Sequence, residues 1–248
     1  MKIICVIPAR YHSTRFPGKP LVDIFGKPMI WWVYEEAKKL IGLISEIYVA
    51  TEDERVAQAC YKLNLNVIMT SNKHPTGTDR VAEVSTKVDA DAYLIWMGDE
   101  PLINHREILF LIEQFKDKQN YSAYMLAKSF TNPVDVVNPT TIKLAINNKQ
   151  ELIFMSRSLI PFPKASLNFQ YYKNIGAYIL NKQALNFFLN TSVGYLENIE
   201  EIELLRFLEN HKKVHVSILE RSLSLSVDTH KDLEKIKEII KQTGKNIR

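Results

Sequence analysis

The sequence predicts an α/β fold, a three-layer sandwich in which helices cover both faces of a mainly parallel, mixed sheet. Short apolar runs alternate with amphipathic stretches over the first 120 residues, as in strands joined by helical crossovers. The apolar content of 46% over 248 residues can fill one substantial core. We find no internal repeat or Gly/Ser linker, so a single domain is predicted over residues 1–248, with a less regular sub-lobe at about 121–215.

The first half of the chain supplies the clearest strands and helices. The predicted strands are KIICVI, which is apolar enough to be buried on both faces, and then EIYVAT, NVIMT and AYLIWM. The predicted helices between them are PMIWWVYEEAKKL, EDERVAQACYKL and GTDRVAEVSTKV. Pro28 suits the first turn of the first helix.

The second half is less regular. Its predicted strands are SAYMLAKSF, TIKLAIN, NIGAYIL and VHVSILE, and its predicted helices are NIEEIELLRFLEN and HKDLEKIKEIIKQT. The apolar face of NIEEIELLRFLEN allows two interpretations, namely core packing and an interface with a second copy of the chain.

Charge and composition exclude several classes of partner. The 32 Lys and Arg are dispersed among 28 Asp and Glu, so no basic stripe indicates nucleic acid. No stretch reaches the roughly 18 apolar residues of a membrane span, and the apolar run at the N-terminus is too short for a signal peptide. Cys5 and Cys60 lie in segments predicted to be buried, which favours reduced thiols. We therefore expect a cytoplasmic protein with no nucleic-acid or membrane partner.

A basic segment, IPARYHSTRFPGKPL, follows the first predicted strand. It contains Arg10, Arg15 and Lys19 and no acidic residue. Ligands of α/β sheets bind outside the carboxyl ends of the strands, where Arg and Lys can clamp phosphate oxygens and Ser13 and Thr14 can add hydrogen bonds. The segment lacks the spacing of a Walker A loop, and no GxGxxG is present. Anion binding is favoured over a merely solvated basic loop.

Two aspartates are candidate metal ligands. Asp99, in MGDEP, follows the apolar run AYLIW, and Mg²⁺ takes one or two carboxylates together with substrate phosphates. Glu100 is the second choice, or a solvated neighbour, and an ordinary turn is the alternative for the whole motif. Asp228, in SVDT, precedes a helix, and the alternative is that this aspartate or the threonine after it is simply the N-cap. The two aspartates form a pair only if they share a cleft.

A third polar segment, HPTGTDRVAEV, precedes a predicted helix. Thr76, Gly77 and Thr78 can form a tight turn that approaches a ligand, whereas Arg80 is either part of that site or a surface residue. The six histidines lack zinc-site spacing, and no GxSxG elbow is present. The residues alone therefore indicate a Mg²⁺-dependent enzyme acting on a phosphorylated small molecule.

A resemblance extends this interpretation. IPARYHSTRFPGKPL, GKPMI, HPTGTDRVAEV, MGDEPLI, VVNPTTIKL, SRSLIPF, NIGAY and SVDTHKDLE occur in the order seen in the 3-deoxy-manno-octulosonate (Kdo) cytidylyltransferases, from about residue 3 to residue 240. Those enzymes transfer CMP from CTP to Kdo for lipopolysaccharide or capsule synthesis. The resemblance implies a nucleotide-diphospho-sugar transferase-like fold, a small sugar-binding and dimerisation lobe, a homodimer, Mg²⁺ as cofactor, and CTP with a 3-deoxy-octulosonic acid as substrates.

The resemblance also implies roles for individual residues. The loop that grips the CTP phosphates would contain Arg10, Ser13 and Lys19, with Arg15 close enough to assist or to meet the sugar. The Mg²⁺ ligands would be Asp99 and Asp228, and these two residues with Arg10 and Lys19 would carry the catalysis. The remaining positions are Thr76, Gly77 and Arg80 near the cytidine, and Arg157, Tyr178 and Glu203 facing the sugar acid.

Three positions depart from the family pattern. Met97, Asn174 and Leu204 stand where the family usually has Gln, His and Gln, all at positions expected to contact the sugar. Tolerated drift is one explanation. The other is a sugar site altered for a relative of Kdo such as its 8-amino-8-deoxy analogue, because hydrogen-bonding groups discriminate strongly between substrates. A cytidylyltransferase for another sugar acid and a non-catalytic CTP-binding regulator are the remaining alternatives.

Overall fold

The computed structural model describes residues 1–12, 16–118, 120–165 and 169–244. Within them the strands are β1 Ile3–Pro8, β2 Asp23–Ile24, β3 Lys27–Pro28, β4 Glu46–Thr51, β5 Val67–Met69, β6 Ala92–Trp96, β7 Ala123–Ser129, β8 Lys143–Ile146, β9 Leu152–Ser156, β10 Tyr172–Asn181 and β11 Val214–Leu219. The α-helices are α1 Met29–Lys38, α2 Glu54–Lys62, α3 Gly77–Lys87, α4 His105–Asp117, α5 Pro133–Val136, α6 Lys182–Asn190, α7 Tyr195–Glu200, α8 Leu205–Glu209 and α9 His230–Thr243.

The central sheet has the strand order β11-β7-β10-β6-β1-β4-β5. Strand β1 is parallel to β4 and β6, and β5 continues the parallel half. Strand β10 is antiparallel to both β6 and β7, while β11 is parallel to β7. The predicted mainly parallel, mixed sheet is therefore confirmed. The carboxyl ends of β1, β4 and β6 consequently lie along one edge.

The continuous apolar run of β1 is explained by burial on both faces. Ile3, Cys5 and Ile7 belong to a core shared with α1 and α4, whereas Ile4 and Val6 belong to a core shared with α3 and α6. Side chains of a strand alternate between its two faces, so a strand with a helical layer on each side needs apolar residues at every position. This gives the three layers predicted from the sequence.

The C-terminal helix α9 packs against the beginning of the chain. Leu233, Ile236 and Ile240 share a separate apolar cluster with residues that include Phe16 and Trp32. The ring of Phe16 lies 4.2 Å from that of His230, measured between ring centroids. The last helix therefore lies next to the basic segment that follows β1.

The second half departs from the expectation in two ways. NIEEIELLRFLEN is not one helix, because Glu201 takes a left-handed conformation with φ of 50° and separates α7 from α8. Its Leu205 and Phe207 are fully buried, which supports core packing for this part of the segment.

Two helices were not predicted, namely α4 at the end of the first half and α6 in the second half. Within residues 121–215, β7 and β10 belong to the central sheet, whereas β8 pairs with β10 and β9 pairs with β8.

The cysteines behave as expected. Cys5 and Cys60 are buried and unpaired, and burial raises the pKa of the Cys60 thiol to about 12. Among the described residues, no helix combines the length and the apolar character that crossing a membrane requires.

Candidate active site

The basic segment after β1 forms a closed loop at the carboxyl edge of the sheet. The Gly18 N–H donates to the carbonyl of Tyr11 over 2.9 Å. Gly18 has φ of +70°, and a Cβ there would lie 3.3 Å from the Tyr11 ring, so this position requires glycine. Arg10 is exposed just before the loop. Ser13, which was expected to contact phosphate, and Arg15, which was expected to assist it or to meet the sugar, lie outside the described residues, as does Thr14.

Lys19 follows the loop and contacts both candidate metal ligands. Its Nζ lies 2.5 Å from Oδ2 of Asp99 and 3.4 Å from Oδ1 of Asp228. Burial lowers the pKa of Lys19, but the two carboxylates outweigh burial and raise this pKa above its ordinary value. Lys19 therefore carries its charge throughout the physiological pH range.

Backbone contacts bring the two aspartates together. The Val227 N–H donates to the carbonyl of Asp99 over 3.0 Å, so the segment before α9 runs beside the end of β6. The N-cap of α9 is Thr229, whose side chain accepts from the Asp232 N–H. The N-cap alternative is therefore confirmed for Thr229 and wrong for Asp228. Asp99 and Asp228 therefore lie close together, on the same lysine ammonium.

These two carboxylates suit a cation that also binds substrate. Among the described residues, no group of three or more His, Cys, Asp or Glu side chains forms a metal cage. Mg²⁺ normally uses one or two carboxylates and takes its other ligands from phosphates and water. The side chains of Asp99 and Asp228 are 25% and 26% exposed, so a ligand can reach both. The carboxylate oxygens of Asp99 and Asp228 already hold one cation between them, the Lys19 ammonium. Such a pair of oxygen donors fits Mg²⁺.

Glu100 has a different environment from Asp99. It is buried, and its Oε1 accepts from the Gly176 N–H over 3.3 Å, so it is not a solvated neighbour. Burial, assisted by the charge of Asp99, raises the pKa of Glu100 to about 7.

The turn before α3 lies beside the ends of β1 and β6. A Cβ at Gly77 would be 3.4 Å from Pro8 and from the methyl carbon of Met97. Thr76 is the N-cap of α3, and its Oγ1 accepts from the Asp79 N–H over 3.1 Å. Thr76 and Gly77 are therefore placed at the same sheet edge as Asp99.

Arg80 is not a surface residue, so that alternative is wrong. It is 3% exposed, and its Nη2 lies 2.8 Å from Oε2 of Glu52. Its Nη1 donates to the Thr70 hydroxyl and to the carbonyl of Ser71. Burial lowers the pKa of Arg80, and the nearby charge of Arg10 lowers it further. The guanidinium is thus held against Glu52.

Glu52 was missed by the sequence reasoning. It directly follows β4, and its Oε1 accepts from the Tyr11 N–H over 3.2 Å. It therefore connects the base of the basic loop to Arg80. The signal that singled out Asp99, a carboxylate at the end of a buried strand, also applies to Glu52.

An irregularity in β10 brings Asn174 and Tyr178 together. The register of β10 against β7 shifts between Ile175 and Tyr178, and the Nδ2 of Asn174 donates to the Tyr178 hydroxyl over 2.6 Å. Bulges of this kind re-aim side chains near active sites. Burial raises the pKa of Tyr178, and the charges of Glu203 and Asp99 add to the effect.

Met97 lies between these two parts of the site. Its N–H donates to the carbonyl of Gly176 over 2.9 Å. A Cβ at Gly176 would be 3.1 Å from the Met97 side chain, which also borders Gly77. Met97 thus connects the turn before α3 with the irregular part of β10.

The other expected sugar contacts are engaged elsewhere. The Oε2 of Glu203 accepts from the Thr78 N–H over 2.7 Å, and burial raises the pKa of Glu203. Arg157 donates through Nε to the carbonyl of Glu200 over 2.7 Å and through Nη1 to that of Pro139 over 3.2 Å. These contacts bring Glu203 to the turn before α3 and commit the Arg157 guanidinium to backbone carbonyls.

Leu204 does not present its side chain to a ligand. It is 2% exposed and belongs to the core on the α3 side of the sheet. Because this core surrounds the Leu204 side chain, the expected contact between Leu204 and the sugar is wrong. Of the three departures from the family pattern, Met97 and Asn174 remain at the site.

Comparisons with known proteins identify the family. A model of the cytidylyltransferase family matches residues 4–214. The chain is 37% identical over 242 residues to the 3-deoxy-manno-octulosonate cytidylyltransferase of Escherichia coli, with 97% of each chain covered. It is also 37% identical over 242 residues to the 8-amino-3,8-dideoxy-manno-octulosonate cytidylyltransferase of Shewanella sp. (strain W3-18-1), with 96% of this chain and 98% of the relative covered.

A solved structure shows the same fold. It is that of a CMP:2-keto-3-deoxy-manno-octonic acid synthetase complexed with CTP, which is 36% identical to this chain and matches it with a TM-score of 0.91. The match covers 98% of this chain and 100% of the other. Motifs, fold and comparisons converge, and the chain belongs to the 3-deoxy-manno-octulosonate cytidylyltransferase family.

Proposed function

We propose that the protein transfers the CMP group of CTP to the anomeric hydroxyl of a 3-deoxy-octulosonic acid and releases pyrophosphate. The observation that carries this proposal is the position of Lys19 between Asp99 and Asp228, 2.5 and 3.4 Å from their oxygens, directly after the basic loop. A lysine and two partly exposed carboxylates at the carboxyl edge of an α/β sheet suit a polyphosphate and its cation. The family membership identifies the nucleotide as CTP.

The protein's own residues would act by positioning and by charge. Arg10 and Lys19 bind the phosphates and stabilise the negative charge that develops on the leaving pyrophosphate. The anomeric oxygen attacks the α-phosphorus in line, forming a new P–O bond as the bond to the β-phosphate's bridging oxygen breaks. The hydroxyl proton passes to solvent. No covalent intermediate with the protein is required.

Asp99 and Asp228 would hold Mg²⁺. When bound, the ion supplies positive charge to the phosphate oxygens. Lys19 would then serve both the carboxylates, which its ammonium contacts, and the nucleotide, because it directly follows the basic loop.

The sugar would be Kdo or its 8-amino-8-deoxy analogue. The equal identity of 37% to a relative named for each sugar does not separate them. Met97 and Asn174 support an altered sugar site, since Asn174 forms a short polar contact with Tyr178 beside Met97. A family-like homodimer acting in the cytoplasm completes the proposal, and light scattering after size-exclusion chromatography tests the dimer.

The decisive experiment follows pyrophosphate release from CTP and Mg²⁺ with each sugar in parallel. Turnover with either sugar supports the proposed reaction, and the ratio of kcat/KM values identifies the preferred one. The control is Asp99→Asn, which should lose the activity while still folding. CTP binding without turnover on any sugar acid would instead support a non-catalytic regulator. Turnover only with a different sugar acid would reassign the substrate.

A further inference from the structure

A buried arginine connects the second half of the chain to the nucleotide turn. Arg206, in α8, is 2% exposed, and its Nε and Nη2 donate to the two carboxylate oxygens of Glu197 over 2.7 and 2.6 Å. Its Nη1 lies 3.3 Å from Oδ1 of Asp79 and donates to the carbonyl of Phe188 over 2.9 Å. One guanidinium thus joins α8, α7, the end of α6 and the first turn of α3.

The Asp79 carboxylate extends this connection to the turn itself. One of its oxygens faces Arg206, and the other accepts from the Thr76 hydroxyl over 2.6 Å. The same hydroxyl oxygen accepts from the Asp79 N–H and so caps α3. The result is a continuous chain of hydrogen bonds from Arg206 through Asp79 to Thr76.

A second contact from the same part of the chain reaches the turn. Glu203 accepts from the Thr78 N–H, as described above. Arg206 and Glu203 therefore act on adjacent residues of α3 from one short segment. Two independent, partly buried contacts at one turn indicate that its backbone position is fixed by the segment containing Glu203 and Arg206.

We propose that Arg206 is a positioning residue for CTP binding, acting through Asp79 on the turn formed by Thr76, Gly77 and Thr78. Arg206 does not touch the substrate. The inference rests on the proposed function, because the turn's ligand is taken to be the nucleotide.

The planar fork of the guanidinium suits this role. It donates to Glu197 with two N–H groups and reaches Asp79 with another, and its Cζ lies 3.6 Å from the Phe188 ring centroid. A lysine supplies one ammonium and cannot reproduce the bidentate contact together with the third. Retaining the charge is therefore insufficient to keep Asp79 in place.

The test compares three variants of the full-length protein. Arg206→Lys keeps the charge but loses the fork, and Asp79→Asn keeps the side-chain shape but removes the charge that joins Arg206 to Thr76. Glu209→Gln is the matched control. Glu209 also lies in α8, and its carboxylate accepts from the N–H groups of Leu196 and Glu197 in α7, yet none of its side-chain hydrogen bonds that the structure describes reaches Arg206 or the turn.

Two measurements separate positioning from stability. Calorimetric titration gives the Kd for CTP, and hydrogen exchange reports on the amides of Thr78 and Asp79. We expect Arg206→Lys and Asp79→Asn to weaken CTP binding about tenfold, which is about 1.4 kcal/mol, and to accelerate exchange at both amides. Glu209→Gln should lower Tm while leaving the Kd and both exchange rates close to wild type.

Each alternative result is informative. If folded Arg206→Lys and Asp79→Asn retain wild-type affinity and exchange, or if Glu209→Gln weakens CTP binding as much as they do, the positioning role is wrong. If Arg206→Lys does not fold, Asp79→Asn alone decides the question. If the wild-type protein does not bind CTP, the proposed function fails, and unchanged exchange in the variants would separately refute the connection to the turn.

Discussion

Lys19 places its ammonium 2.5 Å from Asp99 and 3.4 Å from Asp228, so one cation joins two carboxylates supplied by distant parts of the chain. The lysine side chain is 12% exposed, whereas each carboxylate is about a quarter exposed. This arrangement offsets the repulsion between the aspartates before any ligand arrives. It also keeps a positive charge next to the loop that would bind phosphate.

Replacing Lys19 should therefore affect chemistry more than folding. We expect Lys19→Met to lower kcat by about 100-fold or more, because a charge that stabilises the transition state is lost. Pyrophosphate release measures the effect. Lys38→Met is the control, since Lys38 is 51% exposed and pairs with Glu35 within α1. Wild-type kcat in Lys19→Met would contradict the assigned role.

Asp228→Asn should change the metal requirement. With one carboxylate charge removed, we expect the Mg²⁺ concentration for half-maximal activity to rise about tenfold or more, corresponding to about 1.4 kcal/mol of lost binding free energy. Asp23→Asn, at an exposed position in β2, serves as the control. An unaltered Mg²⁺ dependence in Asp228→Asn would show that this aspartate is not a ligand.

Lys128 should be important for the placement of Asp228. Its Nζ donates to the carbonyls of Ser222 and Ser224 over 2.9 and 2.7 Å, and so anchors the segment that leads to Asp228. We expect Lys128→Met to lower the free energy of unfolding by about 1–3 kcal/mol, because buried carbonyls lose their donor, and also to weaken the response to Mg²⁺. The exposed Lys149→Met provides the comparison for denaturant unfolding and Mg²⁺ titration. Equal behaviour of the two variants would refute the anchoring role.

His215 should make stability depend on pH. It is fully buried in β11 beside Tyr121 and Tyr124, and burial, assisted by Lys118, lowers its pKa to about 4. Between this value and the ordinary pKa of about 6.5, only the unfolded chain binds the proton, so stability falls as pH decreases through that interval.

The protonation of His215 should lower the free energy of unfolding by at most about 3 kcal/mol between pH 7 and pH 4. His215→Phe should remove this part of the pH dependence. Urea unfolding of both proteins at several pH values measures the difference, and the exposed His211 gives a control in His211→Phe. Identical pH profiles of wild type and His215→Phe would contradict the prediction.

Local patterns predicted most of the parallel half of the fold. EIYVAT coincides with β4 and HKDLEKIKEIIKQT with α9, because apolar periodicity and capping residues are local signals. Helix α4 had such a signal too, in the capping box of Asn104 and Glu107, which the reasoning overlooked. The division between α7 and α8 had none, since the carbonyls of Glu200 and Glu201 bind Arg157 from another part of the chain.

The residues of the candidate site also differ in whether a local sequence signal marks them. Lys19, Asp99 and Asp228 were predicted because each stands at a recognisable position in a motif. Leu204 was misjudged because a family position does not reveal which way a side chain points once a helix is interrupted. Arg206 was missed because its partner Asp79 is 127 residues away, and only the folded chain brings them together.

The packing of α9 on the beginning of the chain has a consequence for protein synthesis. Lys19 emerges early from the ribosome, whereas Asp228 and the helix that follows it emerge late. Until then the cluster containing Phe16 and Trp32 lacks its cover from Leu233. A nascent chain consequently cannot assemble the triad of Lys19, Asp99 and Asp228, and the complete site forms only when the segment bearing α9 has left the exit tunnel.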